Sequence, residues 1–306
     1  MIKMIRAENL KKKFREVQAL NGISFEVKEG EIFGYLGPNG AGKTTTIRIL
    51  SALIRPDFGY AEVCGINVQE NPTAVLENIG VLPENNALYE RLTGRENLIF
   101  FAKAYNIPRE EANRRINELL KFFGLKDRAD DPVGKYSKGM KQRLALIRTV
   151  LHRPKVLLLD EPTSGLSPEI AIRVRDLIKK LAEKEDVTIF LSTHNLDEAE
   201  RLCDRVAVIF SGKILLIGSP SAMEKEIKHV IIRLRKISEP MINALKEKAI
   251  KFHISGEQTI LLEVKNYSKE VPEVIKILVL EGAEILSVEP ERKSLWDIYM
   301  EAIRGE

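Results

Sequence analysis

Short apolar runs that end in polar residues alternate, along much of the chain, with longer stretches whose apolar positions recur every three or four residues. Residues 31–36 (EIFGYL) read as a buried strand entering a glycine-rich turn, and 43–53 as the helix that follows it. Residues 156–159 and 187–191 are two further β-rich runs, with a helical stretch at 169–183 between them. Strands alternating with helices predict an α/β layer on a largely parallel sheet. From about residue 85 to 152 the pattern turns mostly helical, most clearly over 109–123 and 138–151. In the second of these, Met140, Leu144, Ile147 and Leu151 recur at helical spacing and predict one buried face. This region reads as a helical insert within an α/β domain covering residues 1–220.

The segment Gly218-Ser219-Pro220-Ser221 marks a boundary, because the pattern starts afresh beyond it. Residues 229–234 are strand-like and 240–249 helical; 252–254 pair with 260–264 across Ser255-Gly256, 271–280 are helical and 285–288 strand-like. The order β-α-β-β-α-β predicts a small α+β, ferredoxin-like domain over residues 226–306. An amphipathic helix at 294–303, carrying the only tryptophan, Trp296, is expected to close it.

A length of 306 residues suits two domains with a core each. The 44% hydrophobic content, with 19 Gly and 13 Pro, excludes a collagen-like or disordered chain. Charge is nearly balanced at net +4, and the basic runs at 11–13 and 179–180 are short enough to be solvated faces, so no nucleic-acid partner is expected. Cys64 and Cys203 form no CxxC pair, which argues against a disulfide framework or a zinc site and fits a reducing cytosol. No apolar run approaches the roughly 20 residues that span a bilayer, and the N-terminus lacks the apolar core of a signal peptide. The chain itself is expected to cross no membrane.

Gly37-Pro38-Asn39-Gly40-Ala41-Gly42-Lys43-Thr44 satisfies G-x-x-x-x-G-K-[ST], the phosphate-binding loop. Glycines let backbone N–H groups approach phosphates, the helix that follows presents its positive end, Lys43 supplies a cation and Thr44 a hydroxyl for Mg²⁺. Such a match arises by chance in about one chain of this length in a hundred, and the flanking strand and helix make it rarer. The dinucleotide fingerprint G-x-G-x-x-G fails, since Gly40 and Gly42 are followed by Thr45. The run 156–161 ends in Asp160 and Glu161 at the carboxyl end of a strand, where open α/β sheets bind ligands. Asp160 there suits Mg²⁺ and Glu161 an attacking water.

With these motifs in order, residues 4–220 resemble the nucleotide-binding subunit of an ATP-binding cassette (ABC) transporter. Tyr136-Ser137-Lys138-Gly139-Met140 occupies the place of the family's LSGGQ signature, keeping Ser137 and Gly139. The resemblance implies that His194 is the switch histidine that senses the γ-phosphate. It places Phe14 against adenine, adds Thr45 to the ATP site, and puts Glu84 at the Q-loop position, beside the metal. Ser167 replaces the family's D-loop aspartate. The Glu84 and signature variants, with the appended domain, are most similar to the daunorubicin-resistance branch associated with ABC-2-type permeases.

What the resemblance implies is a P-loop NTPase that hydrolyses ATP with Mg²⁺. It forms a head-to-tail homodimer in which each signature closes on the ATP held by the other copy. The dimer would sit on the cytoplasmic face of the membrane and energise a separately encoded permease. The other reading is a soluble ABC ATPase acting in regulation or nucleic-acid handling, although relatives of that kind carry coiled coils, zinc modules or paired cassettes that are missing here.

Overall fold

The computed structural model describes residues 2–84, 86–185, 187–220, 229–248, 250–264 and 266–291. The chain divides into two compact units, Met1–Ser219 and Pro220–Glu306. The first holds two sheets. Strands β1 (Lys3–Phe14), β2 (Val17–Lys28), β4 (Phe58–Val63) and β5 (Ile66–Asn67) form an antiparallel sheet in the order β2-β1-β4-β5. The second sheet is built from β3 (Ile32–Leu36), β6 (Ile79–Leu82), β7 (Val156–Asp160), β8 (Thr188–Thr193), β9 (Arg205–Phe210) and β10 (Lys213–Gly218). Its order is β10-β9-β3-β8-β7-β6, parallel except for the β9–β10 hairpin.

Strands β3, β7 and β8 are buried at every position, which their apolar runs require of central parallel strands covered on both faces. The two sheets meet through aromatic rings: Phe25 of β2 lies 5.6–5.7 Å, centroid to centroid, from Phe33, Tyr35 and Phe190. Parallel register pairs Leu36 with Thr193 and Asp160 with Ser192. The loops leaving β3, β7 and β8 therefore open on one edge of the sheet. Gly34 of β3 leaves room for a neighbour, since a Cβ there would stand 2.7 Å from the sulfur of buried Cys203.

Helix α1 (Lys43–Leu50) follows β3. It is shorter than the expected 43–53, because Ala52 turns to a left-handed φ of 57° and releases Leu53 to solvent. After α2 (Pro72–Asn78), the insert comprises α3 (Gly94–Ala104), α4 (Arg109–Phe122) and α5 (Lys138–Val150). The expectation of one buried face on α5 is corrected: every residue from Leu144 to Val150 is buried. That helix is packed by β6 and by both other insert helices. Even Arg148 is enclosed, donating to the carbonyls of Asn86 and Ala87 beneath the Phe101 ring. Helices α6 (Pro168–Glu185) and α7 (Leu196–Leu202) flank β8 in sequence.

The second unit runs β11 (His229–Leu234), α8 (Glu239–Glu247), β12 (Phe252–Ser255), β13 (Thr259–Glu263), α9 (Tyr267–Leu280) and β14 (Ile285–Glu291). Its sheet is antiparallel throughout in the order β12-β13-β11-β14, which is the ferredoxin-like arrangement. Val230, Ile232, Ile260 and Leu262 on its strands join Met241, Leu245, Val274 and Leu278 on its helices in a core of its own. The expected helix at 294–303, with Trp296, lies outside the described residues.

Candidate functional site

A cleft of about 300 Å³ opens where the loops after β3, β7 and β8 meet. It is lined by Asn39, Gly40, Gly42, Lys43, Thr44 and Thr45 of the glycine-rich loop and α1, and by Glu84, Glu161, Ser164 and His194, with Val17 and Ala19 of β2 at its side. Gly42 precedes α1 at a φ of 109°, a backbone shape that any side chain would strain. No side chain caps α1, so its first N–H groups remain available to an anion. A Cβ on Gly40 would meet nothing within 4 Å, so the loop backbone lies open there to an incoming group.

Lys43 is almost fully buried. Its ammonium donates to the carbonyls of Gly37 (2.7 Å) and Pro38 (3.1 Å), and stands 3.2 Å from Oε1 of Glu161. Glu161 is thus the hub of the cleft. It leaves β7 at a left-handed φ of 50°, a strain of about 1–2 kcal/mol for a residue with a side chain, and its N–H donates to Ser192 O. Its Oε2 lies 2.7 Å from Nδ1 of His194. A carboxylate can only accept, so this contact places the imidazole proton on Nδ1. Oε1 is buried and takes no hydrogen bond.

These features fit a phosphate chain with a water beside it: an uncapped helix end, a fixed cation and a carboxylate oxygen with unused acceptor capacity. Mg²⁺ would draw on Thr44, Asp160 and Glu84. Thr44 and Glu84 line the cleft, whereas Asp160 is buried behind it and accepts the Ser192 hydroxyl. Among the described residues no three His, Cys, Asp or Glu side chains gather into a metal cage. The donor set suits a hard cation that completes its shell with phosphate oxygens and water.

Other predicted residues are placed differently. Gly37, Pro38 and Ala41 form the floor of the loop and are not among the residues lining the cleft, two of them acting through the carbonyls that hold Lys43. Phe14 lies at the half-exposed end of β1 with Lys12 Nζ over its ring, and also does not line the cleft. Ser137 caps α5, accepting from Met140 N–H at 3.2 Å. Gly139 is required by packing, since a Cβ there would stand 2.6 Å from Cγ2 of Ile170. Neither signature residue lines this cleft. Sequence reasoning did not select Val17, Ala19 or Ser164. Only Ser164, three residues beyond Glu161, offered a signal.

Residues 20–164 match the ABC transporter family. The bacitracin transport ATP-binding protein BcrA of Bacillus licheniformis is 36% identical over 307 residues, spanning 100% of this chain and 99% of that protein. The daunorubicin resistance ATP-binding protein DrrA2 of Streptomyces coeruleorubidus is 34% identical over 302 residues, spanning 97% and 94%. Among solved structures, the dimeric post-hydrolysis state of the ATP-binding cassette MJ0796, bound to ADP and phosphate, superposes with a TM-score of 0.64. It is 27% identical and covers 71% of this chain and 98% of that one.

Proposed function

The chain belongs to the ATP-binding subunits of ABC transporters and is an ATPase of that kind, and on that premise we propose that it powers an ABC-2-type exporter whose membrane permease is a separate chain. The similarity to a bacitracin transport protein and a daunorubicin resistance protein along nearly their whole length supports export, because it extends through the second unit. No helix among the described residues is long and apolar enough to cross a membrane. Its similarity to ATP-binding subunits of transporters supports a place on the cytoplasmic face, docked on its permease.

The observation that carries the chemistry is the line Lys43–Glu161–His194 in one cleft at the head of α1. Lys43 binds the phosphate chain, and Thr44 and Asp160 hold Mg²⁺, with Glu84 beside them. When bound, the cation offsets phosphate charge. His194 fixes the carboxylate of Glu161 through Oε2, leaving Oε1 to take a proton from the attacking water. Ser137 and Gly139 contact the nucleotide of a second copy, so ATP joins two subunits and its hydrolysis releases them.

Glu161→Gln tests this reading. It should retain ATP binding, slow hydrolysis by a factor on the order of 10²–10⁴, and accumulate as an ATP-dependent dimer in size-exclusion chromatography with light scattering. Adding Ser137→Arg should return it to monomer. Parental turnover in E161Q would remove Glu161 from catalysis, and a monomer that binds ATP would remove the shared site.

A further inference from the structure

Glu198 is the third residue of α7 and is 1% exposed, yet no motif selects it. A glutamate at this position usually folds back to cap the N–H of the residue that starts the helix. Here that N–H, on Asn195, donates instead to Thr193 Oγ1 at 3.0 Å, while the Asn195 side chain accepts from the N–H of Glu198 at 3.2 Å. The helix start is satisfied without the Glu198 carboxyl, which turns inward. Its Oε1 accepts the Thr163 hydroxyl at 2.8 Å.

Those two threonines have informative positions. Thr163 lies two residues after Glu161, and Thr193 immediately precedes His194. One buried side chain thus ties the loop of Glu161 to the first turn of α7, which follows the loop of His194 and is bonded to Thr193 through Asn195. The tips of the two loops meet in the 2.7 Å contact between Glu161 and His194. From its other side the first of these loops is held by α5, through Gln142 Nε2 donating to Pro162 O at 2.6 Å. Burial raises the pKa of Glu198, with the nearby charge of Glu161 adding to it, while the neighbouring hydroxyls oppose the rise. Arg175, whose charge also opposes the rise, is paired with Asp197 at 2.6 Å. A buried carboxyl without an ion partner of its own is costly to keep, and an apolar residue would fill the place more cheaply.

We propose that Glu198 is a positioning residue for hydrolysis, a tie from Thr163 to the start of α7, beside Thr193, that holds Glu161 and His194 in register with each other. The inference rests on the reading that Glu161 and His194 serve the hydrolytic step. Misplacing such groups by about 1 Å costs on the order of 10² in rate. Glu198→Ala should therefore lower kcat about 10–100-fold while leaving KM for ATP within about twofold. Glu198→Gln keeps an oxygen that can accept from Thr163 and should recover most of the lost kcat. Thr163→Val should lower kcat in the parent and add little to Glu198→Ala, because both cut the same tie.

The variants are assayed on the full chain with E161Q in parallel and a thermal melt for each. Should E198A fail to fold, Thr163→Val and Glu198→Gln carry the comparison. A slow E161Q alongside parental kcat in E198A, or in T163V where E198A does not fold, overturns the positioning role alone. So does a change confined to KM, or a Glu198→Gln variant no better than Glu198→Ala. Full turnover in E161Q overturns the catalytic reading beneath it.

Discussion

Lys43 is fixed before any phosphate arrives, by two main-chain carbonyls and by Glu161. Removing it with Lys43→Ala deletes a charge-assisted contact and leaves Oε1 of Glu161 buried without its cation. Contacts of that kind are worth about 1.5–3 kcal/mol, so a fluorescent ATP analogue should bind roughly 10–100-fold more weakly. Gly139 has a steric reason as well as a place in the signature. Gly139→Ala pushes on branched Ile170 and should cost about 1–3 kcal/mol in chemical denaturation, with Ile170→Ala in the same chain relieving part of it. The reach of sequence reasoning differs between these two residues. Lys43 and Thr44 could be read because the spacing of the phosphate loop is itself a chemical requirement, Glu161 from its place at the carboxyl end of an apolar strand, and His194 only through the resemblance to the family. The reason for Gly139 could not, since its neighbour belongs to another helix and is known only once the chain has folded. Glu198 escaped for a related cause, as its partner Thr163 belongs to the separate loop that follows β7.

Among the elements, the central strands and most helices could be read because they are continuous or strongly periodic. The first sheet could not: β1 slips register between Ala7 and Leu10 and again beside Lys11, which breaks the alternation that would mark a strand. At the far end of α5, His152 stacks on Tyr105, the residue that follows α3, with ring centroids 3.9 Å apart, and its Nε2 lies 2.9 Å from Ile79 O of β6. Bonding to a carbonyl puts the proton on Nε2, and burial pulls the pKa of His152 below the ordinary histidine value. In the folded chain the ring therefore stays neutral at a pH where the unfolded chain is already protonated. Its share of stability is complete above about pH 6.5 and is lost as pH falls toward the depressed folded value. Melting temperatures measured from pH 7.5 to 5.5 should fall less steeply in His152→Gln than in the parent. The difference is bounded by about 1.4 kcal/mol per pH unit.

For the whole molecule, two separate cores imply two unfolding events. Calorimetry should resolve them, and ATP with Mg²⁺ in the E161Q background should raise only the transition of Met1–Ser219, by about 2.7 kcal/mol at a hundredfold excess over Kd. A single transition that shifts as one would show that the units unfold together. The seat of Cys203 against Gly34 gives this chain a timer of its own. Both its thiol and that of half-buried Cys64 are pushed up in pKa by burial, which keeps them out of the reactive thiolate form. A maleimide can reach Cys203 only when α7 parts from β3. In a Cys64→Ser chain, the labelling rate then counts how often α7 lifts from the sheet that carries the nucleotide cleft, and ATP should lengthen the interval between openings.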